Sequence, residues 1–282
     1  MTQQTTSPET FFMDATDGKR FCLLHTPPMS QTLRASLVYI HPFAEEMNAS
    51  RRMAALQART FANAGFAVLQ MDLKGCGDSS GNFEDASWSD WMGDVRMATQ
   101  WMYDQYKVPL WLWGLRAGCL LAAQVSQCDE YRSSKLLLWQ PVLSGRQHLY
   151  QFLRLHVASG IARGQCGHGT APLAQKLEQG QAVEVAGYRL APPLATGMAE
   201  ANLDAIRKGT GIISFELGSP VGQSVSPALT AQMQRWENNG CHVVAQAIEG
   251  DAFWQMQESH PCQALVQASL HAVLSATPLP VT

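Results

Sequence analysis

Gly114, Arg116 and Gly118 are spaced at alternate positions between an apolar run, LWLWGL, and a stretch of small residues, GCLLAA. Glycines on both sides of a central residue permit a sharp strand-to-helix turn that exposes the middle side chain. A serine or cysteine there would be a nucleophile. A guanidinium stays protonated, donates five N–H groups in a rigid fork and cannot attack a carbonyl. The chemistry open to Arg116 is therefore recognition of a carboxylate or phosphate. A second dense segment, HPFAEEMNASRRM, supplies His41, Glu45, Glu46, Asn48, Arg51 and Arg52. We expect Arg116 to be held by Glu45, Glu46 or Asp251 and to present its remaining donors to an anionic ligand. His41 and Asn48 are expected beside that ligand. A glutamate in the same pocket would serve as general base, acting on water, if burial raised its pKa. The plainer reading is an inert buried pair, which adds little stability but costs about 3–5 kcal/mol when one partner is removed.

Other chemistry-bearing residues rank lower. The seven cysteines are odd in number and form no C-x-x-C pair, so neither a disulfide framework nor a zinc site is expected. Cys119, three residues past Arg116, and Cys76 read as buried packing thiols, and Asp78 as a hydrogen-bonding loop residue. Trp139 and Trp254 fall near strand ends and are expected to line a pocket. His148, His156 and His168 lack metal-ligand spacing and read as surface or helix residues. No metal and no cofactor are expected.

The elements that must position these groups alternate. Strand-like runs at residues 36–42, 66–73, 110–115, 135–141, 211–217 and 242–249 are separated by helical patterns, the first two near residues 51–64 and 89–106. Continuous apolar strands between helices imply a mostly parallel sheet covered on both faces. Segments 11–14 and 20–25 are expected as an antiparallel edge. Residues 144–208 break the rhythm, with a short hairpin turning at Ala186 and Gly187. We read 1–143 and 209–282 as the core and 144–208 as a cap inserted beside the strand ends, where ligands of such sheets bind.

With 282 residues, 46% of them apolar and 15% charged, the chain can bury a sizeable core. A net charge of −3 without a basic tract argues against nucleic acid. No signal pattern and no run of roughly 20 apolar residues is found, so a cytoplasmic protein without a membrane span is expected, its partner a small molecule. Homo-oligomerisation stays open.

VYIHPF, FAVLQMDLKGCGDSSG and WGLRAG resemble, in that order, three motifs of the α/β-hydrolases. HPFAEEMNASRRM, DLKGCGDSSGNF, LLLWQPVLSGRQHLYQFLRL and VEVAGYRLAPPL resemble more narrowly the bacterial exosortase A system-associated hydrolase 2 family. That resemblance implies an α/β-hydrolase fold and a setting in exopolysaccharide production and protein sorting. In this fold a serine occupies the turn, a histidine follows the last strand and an acid the strand before it. Here the turn holds Arg116, the last loop reads IEGDAFWQMQE without histidine, His260 is expected further on, within or against the final helix, and the earlier loop offers only Glu216. The oxyanion donors would be the N–H groups of Ala117 and Phe43, since Pro42 has none. Two readings remain: a hydrolase of anionic or sugar-linked esters working through Arg116 and a glutamate, and an inactive pseudo-hydrolase that binds a ligand or partner.

Overall fold

A computed structural model describes residues 7–128, 135–162, 169–204, 206–218, 224–256 and 260–278, without side chains over 156–162. The chain begins with an antiparallel hairpin, β1 (Glu9–Ala15) and β2 (Gly18–His25), as the sequence predicts. There follow β3 (Ala35–Ile40), α1 (Glu45–Asn63), β4 (Phe66–Met71), α2 (Trp88–Tyr106), β5 (Leu110–Leu115), α3 (Gly118–Ser126) and β6 (Lys135–Trp139). Between β6 and the next sheet strand lie α4 (Gly145–Ala162), α5 (Ala171–Glu178), the hairpin β7 (Val183–Val185) and β8 (Tyr188–Leu190), and α6 (Pro192–Glu200). The chain closes with β9 (Gly211–Leu217), α7 (Pro227–Asn238), β10 (His242–Ile248) and α8 (Gln263–Ser275).

Eight strands form one sheet in the order β1-β2-β4-β3-β5-β6-β9-β10. β2 pairs antiparallel with β4, and every later pairing is parallel. This is the α/β-hydrolase fold. Alternation along the buried strands sorts side chains onto two faces. Val38, Ile40 and Leu112 join Trp91, Val95 and Leu120 of α2 and α3 on one face. Leu37, Tyr39, Trp111 and Trp113 meet Met53 and Phe61 of α1 and Leu265 of α8 on the other. The chain leaves β3 for β4 on one side, then crosses to β5 on the other. Loops leaving β3 and β5 therefore part at their C-terminal ends and open a crevice.

Among the described residues, the segment between β6 and β9 has no separate core. Leu153, Leu190, Leu194 and Met198 belong to the apolar cluster on the α2 side of the sheet. Its hairpin turns at Ala186 and Gly187, both at positive φ (50° and 83°), as expected from the sequence.

One helix boundary differs from expectation. α1 starts at Glu45, not near residue 51. Ala44 precedes it with φ 50° and no side-chain cap, so the usual Ser, Thr, Asp or Asn signal is missing. Glu45 and Glu46 instead occupy the first turn, where acidic groups interact favourably with the helix dipole.

Candidate functional site

The turn after β5 keeps the tight geometry its glycines suggest. A Cβ on Gly114 would come within 2.7 Å of Cys119, and one on Gly118 would run into the Ile40 carbonyl of the neighbouring strand. Arg116 sits between them at φ 54°, a conformation that costs a non-glycine residue about 1–2 kcal/mol. Three backbone hydrogen bonds hold it there. The Arg116 N–H donates to the Trp139 carbonyl at 3.0 Å, and its own carbonyl accepts from Cys119 at 3.0 Å and from Val142 at 3.4 Å.

The Arg116 side chain is mostly buried, and its Nε donates to Glu46 Oε1 at 3.2 Å. The guanidinium carbon stands 5.4 Å from the centre of the Trp254 ring. No hydrogen bond among the described residues engages either terminal nitrogen. Burial pushes the Glu46 carboxyl upward and Arg116 opposes that shift. Its second oxygen, Oε2, lies 4.0 Å from His148 Nε2, beyond hydrogen-bonding range. Glu46 Oε2, both His148 ring nitrogens and Trp254 Nε1 are buried without a hydrogen-bond partner among the described residues. Burial first, then the neighbouring Arg116 charge, lowers the His148 pKa to about 3 against a smaller upward pull from the Gln151 side chain, so the ring is neutral.

Successive helical residues diverge by about 100°, and this separates the two glutamates. Glu46 turns to Arg116. Glu45 Oε2 accepts a hydrogen bond at 3.0 Å from the Tyr188 hydroxyl of the β7–β8 hairpin, and Asn48 Nδ2 donates to the same hydroxyl at 3.4 Å. The N–H groups of Phe43 and Ala117 take part in no hydrogen bond among the described residues. Phe43, Glu45, Glu46, Asn48, Arg116, His148 and Trp254 border a cavity of about 770 Å³, whose wall also includes Gln151, Phe152, Leu155 and Met256, while Ala117 and Tyr188 stand beside it without lining it.

Three residues expected here lie elsewhere. His41 is buried behind the loop; its Nδ1 donates to the Pro42 carbonyl at 2.8 Å and its Nε2 accepts from the Leu73 N–H at 3.2 Å. It borders a separate cavity of about 240 Å³ with Tyr39, Arg51 and Asp72. Asp251 is exposed, and its backbone carbonyl starts the short turn at Phe253. Trp139 is fully buried on the α8 side of the sheet, its Nε1 donating to Ser269 Oγ at 2.9 Å. β6 ends on an inward-facing position, so proximity to the strand end did not make Trp139 a pocket residue.

The remaining groups have structural surroundings. Cys76 and Cys119 are buried with thiols pushed well up by desolvation. The Asp78 N–H donates to Asp72 Oδ2, and Glu216 accepts from Ser226 N and Oγ at the start of α7. The sequence reading missed His148. Read there as a surface or helix residue, it lies on α4 but is buried, and its signal was present: His148, Phe152 and Leu155 share one helical face. His168 and the His156 side chain lie outside the described residues. Among the described residues no cluster of His, Cys, Asp or Glu could hold a metal, and no helix is long and apolar enough to cross a membrane.

The family described as serine aminopeptidase, S33 matches residues 31–172, from ahead of β3 into the segment after α4. The chain belongs to the S33 family. No curated protein matches its sequence. Among solved structures, this S33 chain is similar to Est1E from Butyrivibrio proteoclasticus with ferulic acid bound, with a TM-score of 0.68 at 14% identity over 94% of this chain and 98% of that one. It is also similar to a thermostable carboxyl esterase from Bacillus coagulans, with a TM-score of 0.61 at 16% identity over 96% and 98% of the two chains. A soluble variant of monoglyceride lipase from Saccharomyces cerevisiae gives 0.60 at 12% identity over 98% and 97%. At such identities the likeness concerns the fold. Against the serine of its family's name, this S33 chain carries Arg116 at the turn between β5 and α3.

Proposed function

We propose that this chain binds a small anionic molecule in the 770 Å³ cavity through Arg116, without a covalent serine intermediate. One observation carries the reading. Glu46 engages the guanidinium through Nε alone, leaving the terminal pair of nitrogens for a carboxylate or phosphate. An inert replacement pair would use up that fork. Residues 144–208 act as the cap, supplying His148 and Phe152 to the wall. The resemblance to exosortase A system-associated hydrolase 2 supports a sugar-linked anion and a cytoplasmic setting beside exopolysaccharide production.

A second reading, hydrolysis of an anionic ester, is favoured by the raised Glu46 carboxyl and its unengaged oxygen. Glu46 would take a proton from water as the carbonyl oxygen gains charge against the Phe43 and Ala117 N–H groups.

Calorimetric titration with 3-phenylpropionate and with inorganic phosphate tests binding. At least one should bind to the native protein, and Arg116→Ala should weaken it at least tenfold; unchanged affinity in the variant sinks the anion site. Turnover of p-nitrophenyl hemisuccinate, lost in Glu46→Gln, would establish the hydrolytic reading, and its absence in the native protein would leave binding alone.

A further inference from the structure

The unpaired polar atoms of the cavity describe more than an anion. Buried polar atoms are rarely left without partners, so several converging on one space identify what that space accommodates. Glu46 Oε2 and His148 Nε2 face each other across 4.0 Å. That gap is too wide for a direct hydrogen bond. Two hydrogen bonds of about 2.8 Å meeting near a right angle would span it, so the separation is that of one bridging oxygen, with both atoms closed to solvent in this structure.

From this gap, together with the free fork of Arg116, we infer that the ligand is a hydroxy acid whose carboxylate meets Arg116 and whose hydroxyl bridges Glu46 and His148. The inference rests on the anion reading above and adds the second functional group. Both partners belong to one ion pair, Arg116 Nε with Glu46 Oε1, so the two sites are adjacent and the hydroxyl belongs at the 2- or 3-position of the acid. The hydroxyl donates to Glu46, which as a carboxylate only accepts. His148, neutral, satisfies its other side by donating from Nε2 or accepting there, according to tautomer. An ammonium is disfavoured at this point. His148 is 95% buried and Arg116 already opposes positive charge on its ring. The Trp254 Nε1, also unpaired, offers the carboxylate a further donor. Phe43, Phe152, Leu155 and Met256 line the same space, so the carbon skeleton is apolar.

Titrating the full chain with four aromatic acids that differ in one substituent decides the matter. 3-Phenyllactate or 3-hydroxy-3-phenylpropionate should bind at least tenfold more tightly than 3-phenylpropionate, about 1.4 kcal/mol. In His148→Leu, checked for folding by its melting curve, that ratio should fall towards one, and His148→Gln should keep part of it. If the hydroxy and deoxy acids bind equally while Arg116→Ala abolishes both, the bridging oxygen is water; the inference fails and the anion site stands. Tighter binding of phenylalanine than of 3-phenyllactate overturns the hydroxyl in favour of an amine. If none of the acids binds, this inference fails, and the anion reading fails with it only where inorganic phosphate does not bind either.

Discussion

At the scale of single residues, two groups govern the site, and they were unequally legible. Arg116 could be read directly, because a guanidinium between two turn glycines excludes nucleophilic attack whatever surrounds it. Its partner could not be chosen among Glu45, Glu46 and Asp251, since the choice depends on helical phase, and the start of α1 lacks a capping signal. Restoring the serine should not restore the family's chemistry. Arg116→Ser should show no covalent labelling by a fluorophosphonate above the native protein, because among the described residues no histidine hydrogen-bonded to an acid stands at the turn: His260 is exposed in the loop ahead of α8, Glu216 is bonded to Ser226, and His148 lies 4.0 Å from Glu46; strong labelling at residue 116 would contradict this. His148 was passed over because a helix histidine is usually unremarkable, whereas here it is buried and neutral. Its pKa lies near 3 in the folded chain, against about 6.5 when unfolded. The unfolded state therefore takes up the proton first. Stability is fully present above about pH 6.5 and declines as pH falls towards 3, by at most about 1.4 kcal/mol per unit from this group. Burial lowers His25 and His41 in the same direction. Chemical denaturation at pH 7 and pH 5 should show a smaller loss in His148→Phe than in the native chain. Equal losses would mean the ring does not remain uncharged on folding.

Secondary-structure elements bring these residues together by close backbone approach. α3 can begin immediately after β5 only because Gly118 faces the Ile40 carbonyl without a Cβ. Gly118→Ala should move β3 away from the turn, displace Phe43 and Ala117 together, and lower stability by several kcal/mol; a melting temperature within about 1 °C of native would refute that packing. Strands were legible because β3 and β5 are near-continuous apolar runs, interrupted in β3 by Ser36 and buried at every position, as a sheet covered on both faces requires. The hairpin was legible from its Ala-Gly turn. What periodicity could not give was the face of each terminal residue. Trp139 looks like a rim residue by position, yet its alternation phase places it with Trp113, 4.8 Å away between ring centres, inside the opposite core.

For the molecule as a whole, the sheet and the segment following β6 form one apolar cluster, so the site is assembled from parts that fold together. Arg116 comes from the sheet and His148 from α4. The antiparallel edge is tied in by charge. Arg20, 1% exposed, donates through Nε to both oxygens of Asp94 on α2, at 2.8 and 2.9 Å, and through Nη2 to Asp17. Asp94→Leu leaves that cation with Asp17 alone and should cost about 3–5 kcal/mol. Urea unfolding would measure it, and a loss below about 1 kcal/mol would show that the ion pair is dispensable. The stacking of Trp254 on Arg116 also has a practical use. Among the chain's eight tryptophans it alone borders the 770 Å³ cavity, so its emission should report occupancy without any added dye. A shift in intrinsic fluorescence on titration, absent in Trp254→Phe, would turn the native protein into its own optical sensor for screening compounds.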